Sequence, residues 1–419
     1  MTEIAGRMRA MARQAKSAAT VLRALESGTK NAVLRELAAL LREKQAQIQQ
    51  ENALDLEAGA RKGLSQAMLA RLELSDRVMA EMVQGLHEVA DMADPLGEIG
   101  DMQRRPSGIL VGRMRVPLGV ILMIYESRPN VTIDSAALCL KSGNAVILRG
   151  GSEALRSNLA LAAVFHEALS RHQLDPDLVQ VVPTTERSAI DALLEQEDCI
   201  DLVIPRGGEG LLRAVTAKSR IPVLKHYRGV CHAFVDESAD IDAALRVVVS
   251  AKVQRPSACN ALEGLLVHQN IAPEFLPGAA EALHREQVRL LGCERSLALS
   301  PHIEAAAETD WGREFLDLVM TVRVVRDMDE ALAWIERYGS RHTESILTGS
   351  YANARRFLRE VDASAVMVNA STRFNDGGQF GLGLEIGIST SKLHAYGPMG
   401  LNELTTRKFV VLGNGEIRA

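Results

Sequence analysis

The first hundred residues carry apolar side chains at helical spacing. From Thr29, the predicted N-cap, apolar positions recur every three or four residues, and polar residues fill the opposite face through Gln50. The apolar positions are Val33, Leu37, Leu40, Leu41 and Ile48. This pattern predicts a mainly helical start to the chain.

The hydrophobic pattern changes between Gly108 and Tyr125, where β-branched and other apolar residues predominate. It predicts a strand pair or ribbon over 108–120, followed by a buried strand. Short apolar runs and helically spaced segments then alternate. The predicted strands are Val120–Tyr125, Ala145–Leu148, Leu178–Val182 and Ile200–Ile204, and the predicted helices are Pro129–Lys141, Glu153–His172 and Glu186–Glu195. Strands separated by helices at this spacing predict a parallel sheet with helices on its faces.

A second alternating block begins beyond Lys225. Its predicted strands are Ala233–Val235, Leu262–His268, Val319–Val325, Ser345–Thr348 and Ala365–Asn369, and its predicted helices are Ile241–Val253, Ala272–Val288, Met328–Tyr338 and Ala352–Val361. A β-prone tail, Arg407–Leu412, follows. The predicted fold class is α/β, with two parallel-sheet domains and a separate β element. The first domain is placed at residues 1–107 and 121–228, the second at 229–391, and the β element at 108–120 and 392–419.

Composition narrows this picture by exclusion. The 419 residues are 47% hydrophobic and 24% charged, as in globular proteins, while a net charge of −5 and 4% aromatic residues give no reason to expect a nucleic-acid partner. No run of about eighteen uncharged apolar residues occurs, so neither a membrane span nor a signal peptide is predicted, and a cytoplasmic protein is expected. The cysteines are odd in number and lack CxxC pairing, which disfavours a disulfide framework or a metal site. They are Cys139, Cys199, Cys231, Cys259 and Cys293.

One cysteine stands out by its neighbours. In the stretch Lys252–Gly264, KVQRPSACNALEG, Cys259 follows the segment Arg255–Ala258, RPSA, and precedes Asn260, a loop-like setting open to a ligand. Backbone N–H groups and nearby Arg255 favour a thiolate there. An ordinary half-buried cysteine is the alternative, because most cysteines are not nucleophiles.

Polar residues and glycines follow the strands of the first predicted sheet. Glu126–Asn130 follow the first strand, Arg149–Ser152 (RGGS) the second, and Pro205–Gly208 (PRGG) the fourth. Ligands collect at the carboxyl ends of parallel strands, and a Gly-Gly turn opening a helix suits a phosphate. A tight strand-to-helix turn uses glycine as well, and the GxGxxG fingerprint is absent, so both interpretations stay open. The two Gly-Gly turns are expected on neighbouring strands.

Five long segments are specific enough to identify a family. They are VPLGVILMIYESRPNVTIDSAALCLKSGNAVILRGGSEA from Val116, IPRGGEGL from Ile204, KHYRGVCHAFVD from Lys225, QRPSACNALE from Gln254 and NASTRFNDGGQFGLGLEIGIST from Asn369. With the order of elements and Cys259, they resemble the aldehyde dehydrogenase superfamily, and more closely its γ-glutamyl phosphate reductase branch, over nearly the whole chain. The resemblance implies an aldehyde-dehydrogenase-like fold, in which the first domain binds the cofactor, the second is catalytic and the β element mediates oligomerisation.

The resemblance also implies a reaction. Cys259 stands at the position of the nucleophile, and NADPH reduces L-glutamyl 5-phosphate to L-glutamate 5-semialdehyde and phosphate in L-proline biosynthesis. A thiolate attacks the acyl carbon and phosphate leaves, after which the thioester accepts a hydride from the nicotinamide. The expected partners are a small-molecule substrate, further copies of the chain in a homo-oligomer, and glutamate 5-kinase in a transient contact.

Departures from the wider superfamily sharpen this assignment. Aldehyde-oxidising members carry an ELGG motif whose glutamate is the base for thioester hydrolysis, whereas this chain reads His226, Tyr227, Arg228 and Gly229. The missing base fits reduction better than oxidation. Arg128 aligns with the oxyanion asparagine and is expected to contact the oxyanion or the departing phosphate, with a salt bridge at the strand end as the alternative. His226 is either catalytic or a structural histidine.

The resemblance implies further site residues. Arg149 stands where the superfamily places a ribose-contacting lysine, and Ser152 where NAD-preferring members often carry glutamate, so NADPH is expected over NADH. Glu314 resembles the glutamate that holds the nicotinamide ribose, with a helix-surface carboxylate as the alternative. The predicted cofactor-binding residues are Arg149, Ser152, Gly207, Gly208 and Glu314. The predicted substrate-binding residues are Ser127, Asn130, Arg255, Arg373 and Asn375.

Two alternative functions remain. A CoA-acylating or simple aldehyde dehydrogenase is the alternative enzyme, against which the lost glutamate and the RGGS turn argue. A non-catalytic partner of glutamate 5-kinase is the alternative from another class, against which the intact Cys259 segment argues.

Overall fold

The computed structural model describes residues 3–225 and 227–418, which divide into two compact units. The first unit comprises residues 3–225, 381–387 and 399–418, and the second comprises residues 227–380 and 388–398. The predicted second domain, 229–391, is continuous in sequence. The second unit instead excludes 381–387 and includes Ile388–Pro398, so the chain passes between the units several times near its end.

The helices and strands are numbered in chain order. The helices are α1 (Glu3–Leu22), α2 (Ser27–Glu43), α3 (Gln45–Arg61), α4 (Gln66–Leu72), α5 (Asp76–Asp91), α6 (Asn130–Lys141), α7 (Leu155–Arg171), α8 (Arg187–Leu194), α9 (Glu209–Lys218), α10 (Ile241–Val253), α11 (Ala272–Arg285), α12 (Glu294–Leu297), α13 (Met328–Tyr338) and α14 (Tyr351–Glu360). The strands are β1 (Ile99–Arg104), β2 (Leu110–Pro117), β3 (Val120–Tyr125), β4 (Ala145–Arg149), β5 (Val179–Val181), β6 (Leu202–Arg206), β7 (Cys231–Val235), β8 (Leu262–His268), β9 (Arg289–Gly292), β10 (Ile303–Ala305), β11 (Val319–Val325), β12 (Thr343–Leu347), β13 (Ala365–Val368), β14 (Ile388–Ser389), β15 (Gly397–Pro398) and β16 (Thr405–Leu412). Across the described ranges, none of the helices has both the length and the apolar composition that a membrane crossing requires.

The helical start of the chain is confirmed by α1–α5, with one boundary corrected. The prediction of Thr29 as N-cap is wrong, because α2 begins at Ser27 and the Thr29 N–H already donates to the carbonyl of Glu26 at 3.1 Å. Lys44 separates α2 from α3, so the pattern through Gln50 spans two helices. The apolar positions that predicted them are all buried, as expected for the inner face of an amphipathic helix.

The first unit contains a four-stranded parallel sheet with strand order β5-β4-β3-β6. All six residues of β3 are buried, which explains the continuous apolar run in the sequence. The expectation that the two Gly-Gly turns follow neighbouring strands is wrong. They follow β4 and β6, which lie on opposite sides of β3.

A three-stranded antiparallel sheet, β1-β2-β16, also belongs to the first unit. The stretch 108–120 contains one strand, β2, and not a strand pair, because the partners of β2 are β1, which precedes the stretch, and β16 in the predicted tail. The pairing of β16 to β2 runs from Thr405↔Pro117 to Leu412↔Leu110. Several apolar side chains of β16 are exposed, including Phe409 at 68% and Val411 at 55%.

The second unit contains a parallel seven-stranded sheet with strand order β10-β9-β11-β8-β7-β12-β13. Its two faces pack into separate apolar clusters, and successive residues of β8 alternate between them. Leu265 and Val267 belong to one cluster, and Leu266 belongs to the other. A short β14-β15 pair completes the strands described in this unit.

Candidate active site

Cys259 lies in a turn between α10 and β8, in the second unit. The turn is closed by two backbone hydrogen bonds, from Ala258 N–H to the Arg255 carbonyl and from Ala261 N–H to the Ala258 carbonyl, both 3.0 Å. Cys259 is half-buried and Arg255 is exposed. The predicted loop setting is therefore confirmed, and Cys259 is held in a defined turn.

The approach to β7 packs directly against this turn. A Cβ atom on Gly229 would lie 1.9 Å from the carbonyl oxygen of Cys259, so no larger residue fits. Cys231, the first residue of β7, donates from Sγ to the same carbonyl oxygen at 3.3 Å. Burial, with nearby Glu344 and Cys259, holds the pKa of the Cys231 thiol well above its ordinary value. Cys231 is therefore a protonated donor and not a second nucleophile.

Two arginines, Arg255 and Arg373, interact electrostatically in the region of Cys259. Burial, followed by the charge of Arg255, lowers the pKa of Arg373, while the Cys259 thiol acts in the opposite direction. The half-buried Arg373 guanidinium therefore lies within electrostatic range of both Arg255 and Cys259. A guanidinium close to a cysteine is, in general, a setting that favours the thiolate over the thiol.

Asn375 and Glu314 are engaged within the protein. Asn375 is fully buried, with Nδ2 donating to Thr343 Oγ1 at 2.8 Å. Glu314 Oε1 accepts the backbone N–H of Gly229 at 2.9 Å. The alternative of Glu314 as a helix-surface carboxylate is wrong, because Glu314 lies outside the regular helices.

Sequence reasoning missed a buried ion pair near the same turn. Lys252 Nζ lies 3.0 Å from Glu263 Oε2, and both side chains are almost fully buried. The other carboxylate oxygen of Glu263 accepts the backbone N–H of Leu316 at 3.2 Å. Burial raises the pKa of Glu263 to about 7, against the lowering effect of Lys252. The signal in the sequence was a lysine before the cysteine and a glutamate after it, each next to apolar residues.

The glycine turns of the first unit hold carboxylates of the chain itself. Glu126 Oε1 accepts the N–H of Gly208 at 3.1 Å, at the N-terminus of α9. A Cβ on Gly207 would meet the Glu126 carboxyl carbon at 2.6 Å. Gly207 thus gives the Glu126 carboxylate room to approach this turn, and a phosphate at this helix end would compete with that carboxylate.

The RGGS turn is organised around Glu153. Its carboxylate accepts hydrogen bonds from Ser127 and, at 3.1 Å, from Ser152. The Arg149 guanidinium donates to the carbonyls of Gly150 at 2.7 Å and Thr185 at 3.0 Å, and its buried Nε has no hydrogen-bond partner among the described residues. Burial, opposed by Glu153 and reinforced by the charge of Arg187, lowers the pKa of Arg149.

Polar side chains also follow β3 in the first unit. Arg128 is half-buried, and Asn130 Nδ2 donates to Asp134 Oδ2 at 3.0 Å. Burial raises the pKa of Asp134 to about 6, although Arg206 and Asn130 oppose the rise. Arg128, Ser127 and Asn130 thus belong to the first unit, whereas Arg255, Arg373 and Asn375 belong to the second. His226 lies outside the described residues, so its predicted role stays a prediction.

The fold and the Cys259 turn define the class of protein. The model of the aldehyde dehydrogenase family matches residues 5–313, and the chain belongs to that family. The predicted fold class is confirmed by solved structures of the family. An acetylating aldehyde dehydrogenase from Geobacillus thermoglucosidasius, for example, shares the fold at 17% identity with a TM-score of 0.68, covering 100% of this chain and 98% of that one.

Within the family, the chain groups with the γ-glutamyl phosphate reductases. It is 59% identical to a protein of that name from Desulfotalea psychrophila, over 97% of both chains, and 57% identical to one from Desulfatibacillum aliphaticivorans, over 98% of both. The crystal structure of γ-glutamyl phosphate reductase from Thermotoga maritima matches with a TM-score of 0.96 at 45% identity, covering 98% of this chain and 100% of that one. The predicted resemblance is therefore confirmed.

Proposed function

We propose that this chain reduces L-glutamyl 5-phosphate to L-glutamate 5-semialdehyde and phosphate with NADPH, in the cytoplasm, as a step of L-proline biosynthesis. The observation that carries the proposal is the half-buried Cys259 thiol within electrostatic range of the Arg373 guanidinium, which is itself within range of Arg255. The names of the relatives supply the substrate. Its acyl phosphate and α-carboxylate are anions of the kind that guanidinium groups bind.

The chemistry of Cys259 follows from thiolate nucleophilicity. Its sulfur forms a bond to the acyl carbon, the bond from that carbon to the phosphate oxygen breaks, and phosphate leaves with the electron pair. Arg255 and Arg373 stabilise the thiolate, and Arg373 binds a substrate carboxylate. Arg128 contacts the developing oxyanion or the departing phosphate. After reduction, loss of the hydroxyl proton and cleavage of the carbon–sulfur bond release the aldehyde and restore the thiolate.

Enzymes of this family use nicotinamide cofactors, and residues of the first unit fit one. Arg149 supplies a buried Nε without a partner among the described residues, and Ser152 supplies a hydroxyl. Gly207 and Gly208 permit close approach to the backbone at α9. When bound, the nicotinamide supplies the hydride that reduces the Cys259 thioester to the aldehyde level.

The preference for NADPH rests on charge. Arg187 acts on the pKa of Arg149 as a like charge, so two guanidinium groups lie within range of each other. A 2′-phosphate would relieve their repulsion, with Ser152 as a further donor. The carboxylate of Glu153 opposes this arrangement because it already accepts from Ser152. NADPH is therefore proposed to bind with Glu153 displaced from Ser152.

The test is the reverse reaction. Purified protein, glutamate 5-semialdehyde and NADP⁺ should form NADPH at a rate that depends on added phosphate, and NAD⁺ should support a lower kcat/KM. Replacement of phosphate by CoA should give no activity. Turnover that requires CoA, or that ignores phosphate, would contradict the proposal and support the alternative enzymes.

The chain is also proposed to act as a homo-oligomer. The support is the β1-β2-β16 sheet, whose apolar residues Phe409, Val411 and Leu412 are exposed. A transient contact with glutamate 5-kinase is proposed because an acyl phosphate is labile and benefits from rapid transfer. Co-sedimentation of the two enzymes with substrate present tests that contact.

A further inference from the structure

A closed series of hydrogen bonds and polar contacts begins and ends at the Cys259 turn. We call it the support ring, and its members are Cys231, His342, Thr343, Asn375 and Asn260. Cys231 Sγ donates to the Cys259 carbonyl at 3.3 Å and lies 3.7 Å from His342 Nδ1. His342 Nδ1 lies 2.8 Å from Thr343 Oγ1, which accepts from Asn375 Nδ2 at 2.8 Å. Asn260 Nδ2 donates to the Asn375 carbonyl at 2.9 Å, and the peptide bond from Asn260 to Cys259 closes the series.

The directions of these hydrogen bonds follow from chemistry. Thr343 Oγ1 accepts from Asn375, so its own proton is available to His342 Nδ1. The pKa of Cys231 is raised by burial, which keeps the sulfur protonated, and its single proton points to the Cys259 carbonyl. The Asn260 amide has one suitable orientation, because a flip would place Oδ1 against the carbonyl oxygens of Asn375 and Arg373.

The ring joins segments that are distant in sequence. Cys231 begins β7, His342 directly precedes β12 and Thr343 begins it. Asn375 follows the short turn Thr372–Phe374. Asn260 Nδ2 also lies 3.4 Å from the carbonyl of Arg373, which connects that turn to the nucleophile. The ring residues are buried, with exposures of 0% for Cys231, His342, Thr343 and Asn375 and 4% for Asn260. Buried, hydrogen-bonded supports of this kind hold a reactive group in one geometry.

We propose that Cys231 and Asn260 are positioning residues that fix the Cys259 turn relative to Arg373. Neither residue contacts substrate in this assignment. Cys231 acts by donating to the Cys259 carbonyl, and Asn260 acts by tying the turn to the Arg373 segment. A thiol suits the buried position because it is a weak donor that otherwise packs as a small apolar side chain. The importance of Cys231 and Asn260 for catalysis rests on the proposed function. Their effect on the reactivity of the Cys259 thiol does not.

The experiment measures Cys259 without substrate. Wild type, Cys231→Ala, Cys231→Ser and Thr343→Val are treated with iodoacetamide across a pH series, and modification of the Cys259 peptide is followed by mass spectrometry. Cys231→Ala should slow the alkylation of Cys259 by about fivefold, the scale of one lost hydrogen bond. Cys231→Ser should recover part of that loss. Thr343→Val, which keeps the side-chain shape and breaks the ring further away, should slow alkylation in the same direction by less.

Cys139→Ala is the matched control, since Cys139 is buried in α6 of the first unit, outside the ring. It should leave the alkylation of Cys259 unchanged. In turnover assays Cys231→Ala should lower kcat with KM nearly unchanged. Alkylation of Cys259 at the wild-type rate in folded Cys231→Ala and Thr343→Val would overturn the positioning role. Should Cys231→Ala fail to fold, Thr343→Val alone decides. Wild type without phosphate-dependent turnover would overturn the proposed function and leave the alkylation result to decide the ring.

Discussion

At the scale of single residues, the proposed reduction depends on the thiol of Cys259. Cys259→Ser should abolish reduction while leaving folding and cofactor binding intact, because a hydroxyl stays protonated near neutral pH. Cys139→Ser is the control and should be mild in its effect on activity, since Cys139 packs in α6. Activity, thermal melting and NADPH binding by fluorescence check the three statements. A Cys259→Ser variant with more than a few per cent of wild-type activity would contradict the covalent mechanism.

The charge at positions 152 and 153 should control the choice of cofactor. Glu153→Gln keeps an acceptor for Ser127 but removes the negative charge that faces Arg149, so NADPH affinity should rise several-fold with NADH affinity unchanged. Ser152→Glu should act in the opposite direction and lower NADPH affinity by about tenfold. The measurement is kcat/KM for both cofactors in each variant. Equal changes for NADPH and NADH would show that Ser152 and Glu153 do not face the 2′ position of the cofactor's adenosine ribose.

The buried pair Lys252–Glu263 predicts a pH dependence of stability. The pKa of Glu263 is raised from its ordinary 4.5 to about 7, so the unfolded chain loses this proton at lower pH than the folded chain does. The contribution of the protonated Glu263 carboxyl to the free energy of unfolding is therefore complete below about pH 4.5. It declines as the pH rises and is lost above about pH 7. The difference in thermal midpoint between wild type and Glu263→Gln should shrink or reverse from about pH 5 to pH 7.5. A difference that is constant with pH would contradict the raised pKa.

At the scale of elements, β16 is expected to form a subunit contact. Phe409 and Val411 point to the same face of the strand, so Phe409→Asp with Val411→Asp places two charges there. We expect this variant to sediment as a smaller species than wild type, with the pairing of β16 to β2 retained. Thr406→Asp, on the other face, is the control. Unchanged sedimentation of the double variant would place the contact elsewhere.

The strands that were predicted from sequence and those that were missed differ in burial. β3 and β8 are buried along their whole length, and such apolar runs are visible in any window. β1 reads IGDMQR and is largely exposed, and β10 is a three-residue strand at the edge of its sheet. Strand order was likewise hidden, because nothing in the local pattern states that β3 lies between β4 and β6. Order depends on crossover connections, which local hydrophobicity does not encode.

At the scale of the whole molecule, the sequence singles out Cys259 as the candidate nucleophile but gives no sign of the contacts that support its turn. Cys259 was identified from its loop-like neighbours and from a family resemblance that covers the chain. Cys231 contacts it across 28 positions in sequence, and Asn375 is linked to Asn260 across 115. Such contacts arise only when β7, β8 and β12 are placed side by side, so a single sequence gives no local signal for them. Cys231 therefore looked like any apolar cysteine at the start of a strand.

The last prediction concerns the thioester in the complete enzyme. Four carboxylates of the second unit are engaged within the protein. Glu263 pairs with Lys252, Glu314 accepts the Gly229 N–H, Glu344 lies 3.1 Å from His232, and Asp376 accepts the Gly378 N–H at 3.0 Å. Water activation at the thioester should therefore be slow. With semialdehyde and NADP⁺ but no phosphate, stopped-flow absorbance should show a burst of about one NADPH per active site and then near arrest. Added phosphate should restore turnover, because phosphate attacks the thioester and regenerates the thiolate. Steady formation of glutamate without phosphate would show that the enzyme hydrolyses its thioester and would favour an oxidising aldehyde dehydrogenase.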